Sequence, residues 1–245
     1  MKEVNKNIDI FILCGGVGKR LKSLTTAVPK PMLKVGGAPF LNVIISYFVS
    51  FGFRRFIMGV GYKAGAVKKY YRNNPVKGLK ILFSSERVPL DTGGALKNAK
   101  KLIKSNSFIV LNGDSFSEFN PSGLLDFHRK KKALISILLR RVCDGKDYGE
   151  IKIDKNYRIK SFNEKNNRAG KCLINAGVYV FDKKLFSLMP QIARFSLERD
   201  LFPKMLNLGI FGYKKSGFFI DIGTPERYKQ ADKYFTKVKR SYGRN

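Results

Sequence analysis

Short apolar runs of strand-like composition recur near residues 8–14, 56–60, 79–83, 108–112 and 134–139, and the stretches between them carry a helical period. This alternation constrains the fold more than any other feature. A strand–helix–strand order returns successive strands in the same direction and covers the sheet from both sides. "FLNVIISYFVSFG", residues 40–52, repeats its apolar side chains at helical spacing and stops at Gly52. "TGGALKNAKKLIK", residues 92–104, opens on a threonine suited to capping and continues as a basic amphipathic helix. The second half reads differently: "EIKIDKNYRIKSF" predicts a hairpin around Lys155-Asn156, and "INAGVYVF" and "GFFIDIG" predict further strands that extend the sheet. No repeat, low-complexity linker or proline-rich hinge divides the chain, so one α/β domain over residues 1–245 is expected.

Composition removes several classes of function. At 44% hydrophobic residues the 245-residue chain has ample material for a core, which excludes disorder. No run approaches the roughly 18 apolar residues of a membrane span, and the polar lead "MKEVNKNID" carries no evident signal peptide. The three cysteines, Cys14, Cys143 and Cys172, show neither a disulfide framework nor zinc-ligand spacing, so a reduced, cytoplasmic protein is expected. The charge is unusual: 48 basic against 18 acidic residues leave +30, which favours anionic partners. The lysines are nevertheless scattered, without a basic arm or the aromatic-basic pattern of an RNA-binding sheet, which argues against nucleic acid.

The anion is narrowed by "FILCGGVGKRL", residues 11–21, where a buried strand opens into three glycines and two cations. Gly15, Gly16 and Gly18 let main-chain amides approach a phosphate that a Cβ would keep away. A dinucleotide fingerprint would place a glycine where Leu21 stands and an acid near Pro39, and neither is there. A P-loop would need Ser or Thr after Lys19, where the chain has Arg20. Asp114, closing the apolar run "FIVLNGD", offers a carboxylate suited to a hard cation such as magnesium at the end of a strand, where open α/β sheets bind ligands. The basic tail "KVKRSYGRN" is expected to fray, and the single histidine, His128, reads as a partly buried helical side chain.

Taken in order, "GGVGKRL", "PKPM", "PLDTGGA", "NGD", "YGE", "NEK", "NAGVY" and "FIDIGTPERY" resemble the sugar-1-phosphate nucleotidyltransferases over nearly the whole chain. Within that family, "LCGG", "APFL", "FSLERDLFP" and "DIGTPERY" are most similar to the D-glycero-D-manno-heptose 1-phosphate guanylyltransferases. Lys19 stands where the family usually has threonine, and Asp91 where it commonly has glycine. The resemblance implies a Rossmann-like, mostly parallel mixed sheet with helices on both faces. It implies a nucleotide-binding half over about 8–115, a sugar-binding half over about 116–235 and a basic tail. It further implies Mg2+-dependent transfer of a nucleotidyl group from GTP to a sugar 1-phosphate, and it admits a homo-oligomer.

Residue by residue, the resemblance places Arg20 and Lys30 on the reacting phosphates, with Lys30 held extended between Pro29 and Pro31. Asp221 becomes the second magnesium ligand beside Asp114. Leu13, Gly15, Gly16, Gly18, Glu86, Thr92 and Gly93 fall to the nucleotide. The glutamate has a chemical rationale of its own, because guanine presents a ring N–H and an amine side by side and one carboxylate can accept from both. Gly149, Glu164, Lys165 and Asn175 match positions that grip the sugar and its phosphate, while Glu198 lies early in a helix near them. Rival readings keep the fold but transfer to mannose 1-phosphate or use a thymidylyl, uridylyl or cytidylyl donor. Others make the chain a non-catalytic nucleotide-sugar binder or a basic nucleic-acid-binding protein.

Overall fold

The computed structural model describes residues 5–16, 18–26, 28–143, 145, 148–163 and 170–242. Strand β1 (Asp9–Leu13) is followed by a small antiparallel pair, β2 (Lys34–Val35) and β3 (Ala38–Pro39). Next come helix α1 (Phe40–Ser50), β4 (Arg55–Val60), α2 (Ala64–Asn73), β5 (Lys80–Ser85), α3 (Asp91–Asn98) and β6 (Ser107–Asn112). The second half holds β7 (Ser115–Ser117), α4 (Pro121–Lys130), β8 (Ile135–Val142), β9 (Glu150–Ile153), β10 (Ile159–Asn163) and β11 (Cys172–Asp182). It finishes with α5 (Leu185–Leu188), α6 (Phe202–Gly209), β12 (Ile210–Lys214), β13 (Phe219–Asp221) and α7 (Pro225–Tyr242).

One nine-stranded sheet runs β10-β9-β11-β6-β1-β4-β5, with β8 also on β11 and β12 on β8. Strands β6, β1, β4 and β5 are mutually parallel, and antiparallel pairs join β11 to β6, β8 and β9. The chain leaves β1 toward β4 and β5, then returns to pair β6 on the other side of β1. That reversal opens a crevice at the carboxyl ends of these strands. Both faces are covered, as β1 itself shows: Ile10 and Ile12 join one core cluster with Phe40 and Phe235, and Phe11 joins the other with Leu96 and Phe202. Each of these side chains is nearly or wholly buried, and full burial of one is worth roughly 1.5–3 kcal/mol.

Four local expectations are corrected. The strand expected to end at residue 139 continues to Val142, because Arg140 is drawn inside to donate to the carbonyls of Glu118 and Lys215. A buried arginine reads as a strand end in sequence. Thr92 does not cap α3; the helix begins at Asp91 after Leu90, and the Thr92 hydroxyl turns instead to Glu198 at 2.7 Å. Lys30 is not extended but begins a single 3-10 turn, closed by Met32 N–H on the Pro29 carbonyl. Finally, β13 does not extend the main sheet; it pairs with β7 in a separate two-stranded ribbon. The Lys155-Asn156 hairpin is present as the antiparallel pair β9–β10.

Candidate active site

A cavity of about 620 Å³ opens where the reversal predicts, lined by residues that follow four strands. Leu13, Gly15, Gly16 and Gly18 come from the end of β1, and Gly61 and Tyr62 from the end of β4. Glu86, Arg87, Asp91 and Thr92 follow β5, while Asn112, Gly113 and Asp114 follow β6. Lys30, Pro31 and Arg194 also line it, with Val88, Pro89 and Ala95.

The three glycines of the first loop have different reasons. Gly18 has φ +67°, a left-handed conformation, and a Cβ there would stand 3.3 Å from that of Lys30. At Gly15 a Cβ would meet the Glu86 carboxylate at 2.8 Å, so this glycine lets the acid close over the loop. Gly16 has nothing within 4 Å of such a Cβ, so neither space nor φ in the fold demands glycine there. Gly93 lies outside the cavity lining, packed against Phe195 and donating to its carbonyl at 2.9 Å.

Lys30 is buried, and its Nζ donates to Asp114 Oδ2 at 2.5 Å. Asp221 lies one ribbon step away: it pairs with Ser115 across β7–β13, and Ile222 N–H bonds the Asp114 carbonyl at 2.9 Å. Its Oδ1 accepts from Gly223 N–H at 2.7 Å and lies 3.0 Å from Arg227 Nε, while Oδ2 accepts from the Tyr148 hydroxyl at 2.5 Å. Arg227 also donates to the Tyr148 oxygen at 3.2 Å and lies over its ring. Arg20 reaches the same place, its terminal nitrogen 3.5 Å from where a Gly223 Cβ would stand.

Burial pushes the Glu86 carboxyl above its usual range, with the Asp91 charge adding to the effect and the Leu90 N–H opposing it. Burial and the Asp221 carboxylate hold Tyr148 protonated. Asp91 has φ +62°, where glycine is favoured, and its added charge is met by Arg199 at 2.7 Å and by Thr92 N–H at 3.0 Å.

On the sugar side, Gly149 passes close to β10, where a Cβ would meet the Asn163 carbonyl at 2.8 Å. Asn175 sits at a register shift of β11; its Oδ1 accepts from Gly177 N–H at 2.9 Å and its Nδ2 donates to Tyr179 at 2.8 Å. The Tyr179 hydroxyl donates to Glu198, which also accepts from Thr92 and Ser196, so a chain of bonds joins Asn175 to the nucleotide loop. Glu164 and Lys165 lie outside the described residues. Sequence reasoning missed Tyr148, Arg227, Arg87 and Arg194. The first two lie within quoted motifs, "YGE" and "FIDIGTPERY", but their mutual bond spans 79 positions and no local pattern encodes it.

A strand-end crevice lined by glycines, a buried lysine and the Asp114 carboxylate, with Asp221 one ribbon step from it, marks an enzyme that handles phosphates. The chain belongs to the nucleotidyl transferase family, whose profile matches residues 10–238. Its relatives are sugar-1-phosphate nucleotidyltransferases, and it is an enzyme of that kind. It is 36% identical over 218 residues to D-glycero-alpha-D-manno-heptose 1-phosphate guanylyltransferase of Campylobacter jejuni, covering 89% of this chain and 96% of that protein. It is also 36% identical over 224 residues to mannose-1-phosphate guanylyltransferase of Mycobacterium tuberculosis, covering 90% of this chain but spanning only 62% of that protein. The crystal structure of HddC from Yersinia pseudotuberculosis complexed with GMP-PN matches with a TM-score of 0.83 at 36% identity, covering 93% of this chain and 99% of that one.

Proposed function

We propose that this enzyme transfers a guanylyl group from GTP to D-glycero-D-manno-heptose 1-phosphate, releasing pyrophosphate and leaving the GDP-sugar for cell-surface glycan synthesis. The observation that carries the reading is a cavity lined by the glycine loop, Glu86 and the Lys30–Asp114 pair, with Asp221 joined to the Asp114 segment by the β7–β13 ribbon. A phosphate oxygen of the sugar attacks the α-phosphorus; the new P–O bond forms as the bond to the β-phosphate oxygen breaks, and the electron pair leaves with pyrophosphate. No protein nucleophile enters.

Catalysis of this kind is positioning and charge neutralisation. Gly15, Gly16 and Gly18 admit the triphosphate, Arg20 clamps its departing end, and Lys30 neutralises the α-phosphate. Leu13 and Thr92 shape the nucleotide's seat, Gly93 serves it only indirectly by letting α3 pack on Phe195, and Glu86 accepts from guanine. Gly149, Glu164, Lys165 and Asn175 serve the sugar 1-phosphate.

A divalent cation, Mg2+ in this reading, fits the donor set: both acids are hard oxygen donors, and Asp114 Oδ1 takes no hydrogen bond from the described residues. Among the described residues no group of three or more His, Cys, Asp or Glu gathers, so substrate oxygens and water would complete its shell. When bound, it would supply charge stabilisation at the phosphate oxygens. A cytoplasmic location belongs to the same proposal, supported by three cysteines without a disulfide, and so does a homo-oligomer, which sedimentation would read.

The test is a matrix of nucleoside triphosphates against sugar 1-phosphates with Mg2+, scored by pyrophosphate release. Turnover with GTP and the heptose 1-phosphate but not with mannose 1-phosphate is expected, and the opposite preference would move the assignment to mannose. Asp114→Asn and Asp221→Asn are each expected to abolish metal-dependent turnover in a folded protein.

A further inference from the structure

The two carboxylates read as metal ligands share a feature that neither that role nor the fold requires: each already holds a cation supplied by the protein. Lys30 stands on Asp114 at 2.5 Å, and Arg227 stands on Asp221 at 3.0 Å. The two pairs differ in depth. The Asp114 side chain is 39% exposed, whereas Asp221 and Arg227 are 13% and 17% exposed. Largely withdrawn from water, Asp221 is held by three protein partners: the Gly223 amide, the Tyr148 hydroxyl and the Arg227 guanidinium. Arg227 is itself seated, bonding the Tyr148 oxygen and lying over that ring, so the three side chains are mutually connected.

We propose that Arg227 is a resident counter-cation for Asp221, balancing its charge and holding it correctly aimed until a divalent cation arrives together with the polyphosphate. The proposal rests on the metal reading above. Its logic is competition. A second cation approaching Asp221 must share or displace the guanidinium, and with only two protein carboxylates at the site the exchange is unfavourable until phosphate oxygens join them. The protein alone is therefore a poor binder of divalent cations and the nucleotide complex a good one. Removing the arginine strips the carboxylate of its nearest positive charge, and its affinity for a metal should rise rather than fall. A guanidinium that only braced the loop would give the opposite sign.

The experiment is Mn2+ binding to the full chain, read by the electron paramagnetic resonance of free Mn2+, with and without GTP. Without GTP, Arg227→Met is expected to bind Mn2+ about tenfold tighter than the wild type. Asp221→Asn placed in that background should erase the gain. Unchanged or weaker Mn2+ binding by Arg227→Met would overturn the proposal, as would a gain that survives loss of Asp221. Should Arg227→Met not fold, Arg227→Lys keeps the charge but loses the Nε contact and its seat over Tyr148, and Mn2+ affinity should rise by a smaller factor; no rise overturns the proposal equally. The underlying reading fails separately: if Mn2+ binding in the presence of GTP is indifferent to both Asp114→Asn and Asp221→Asn, these acids hold no metal at all.

Discussion

The parallel and antiparallel halves of the sheet build their parts of the site by different means. On the parallel side, β1, β4, β5 and β6 each end at one wall, and the first loop contributes mainly missing side chains. On the antiparallel side, the equivalent work is done by side chains that meet across long distances. Tyr148, Asp221 and Arg227 form one such group, and Asn175, Tyr179 and Glu198 form another that reaches across to Thr92 on the parallel wall. A strand end delivers backbone to a fixed place, so one short motif suffices there. A bulged strand and a two-stranded ribbon deliver only approximate positions, and hydrogen bonds between remote residues must complete them.

The contrast is broken most severely at Lys30, a buried charged side chain on the parallel wall. Lys30→Met is expected to lower kcat/KM about a thousandfold while the protein stays folded, measured by pyrophosphate release alongside thermal unfolding. A loss of only a few-fold would show that backbone alone serves that wall.

Two glycines sharpen the same point. Gly93→Ala drives a methyl into Phe195 and should cost about 2–3 kcal/mol in denaturant unfolding. Gly16→Ala has open space and should change stability by less than about 0.5 kcal/mol. Its effect should appear in GTP affinity, about tenfold weaker, because its glycine serves the ligand and not the fold.

The antiparallel side also buries a titratable group with no role in the site. His128 on α4 contacts Ser136 on β8 at 3.0 Å, and burial brings its pKa down from 6.5 to about 4, with Arg129 in the same direction and Asp182 opposing. Below pH 6.5 the unfolded chain takes up this proton before the native protein does, so stability falls as pH drops from 6.5 to about 4. The loss between pH 7 and pH 5 should be roughly 2 kcal/mol by denaturant titration, and His128→Gln should flatten it.

Legibility followed the same division. The strands at 55–60 and 107–112 lie within one residue of expectation, because both are uninterrupted apolar runs. Arg140 concealed the end of β8, since a buried arginine satisfied by carbonyls looks like a surface residue in sequence. Asp91, which departs from the family's glycine, has its counter-charge in Arg199, 108 positions away, and no local pattern carries that pairing.

The sequence by itself determined the alternating architecture, the glycine loop and the types of groups a phosphate-handling crevice needs, because apolar periodicity and main-chain freedom are local properties. Tertiary structure alone decided that Asp114 and Asp221 are neighbours, that Arg227 and Tyr148 close on the second of them, and that Gly93 serves packing. Those outcomes depend on which distant segments the sheet brings together, and charge and hydrogen bonding act across space rather than along the chain.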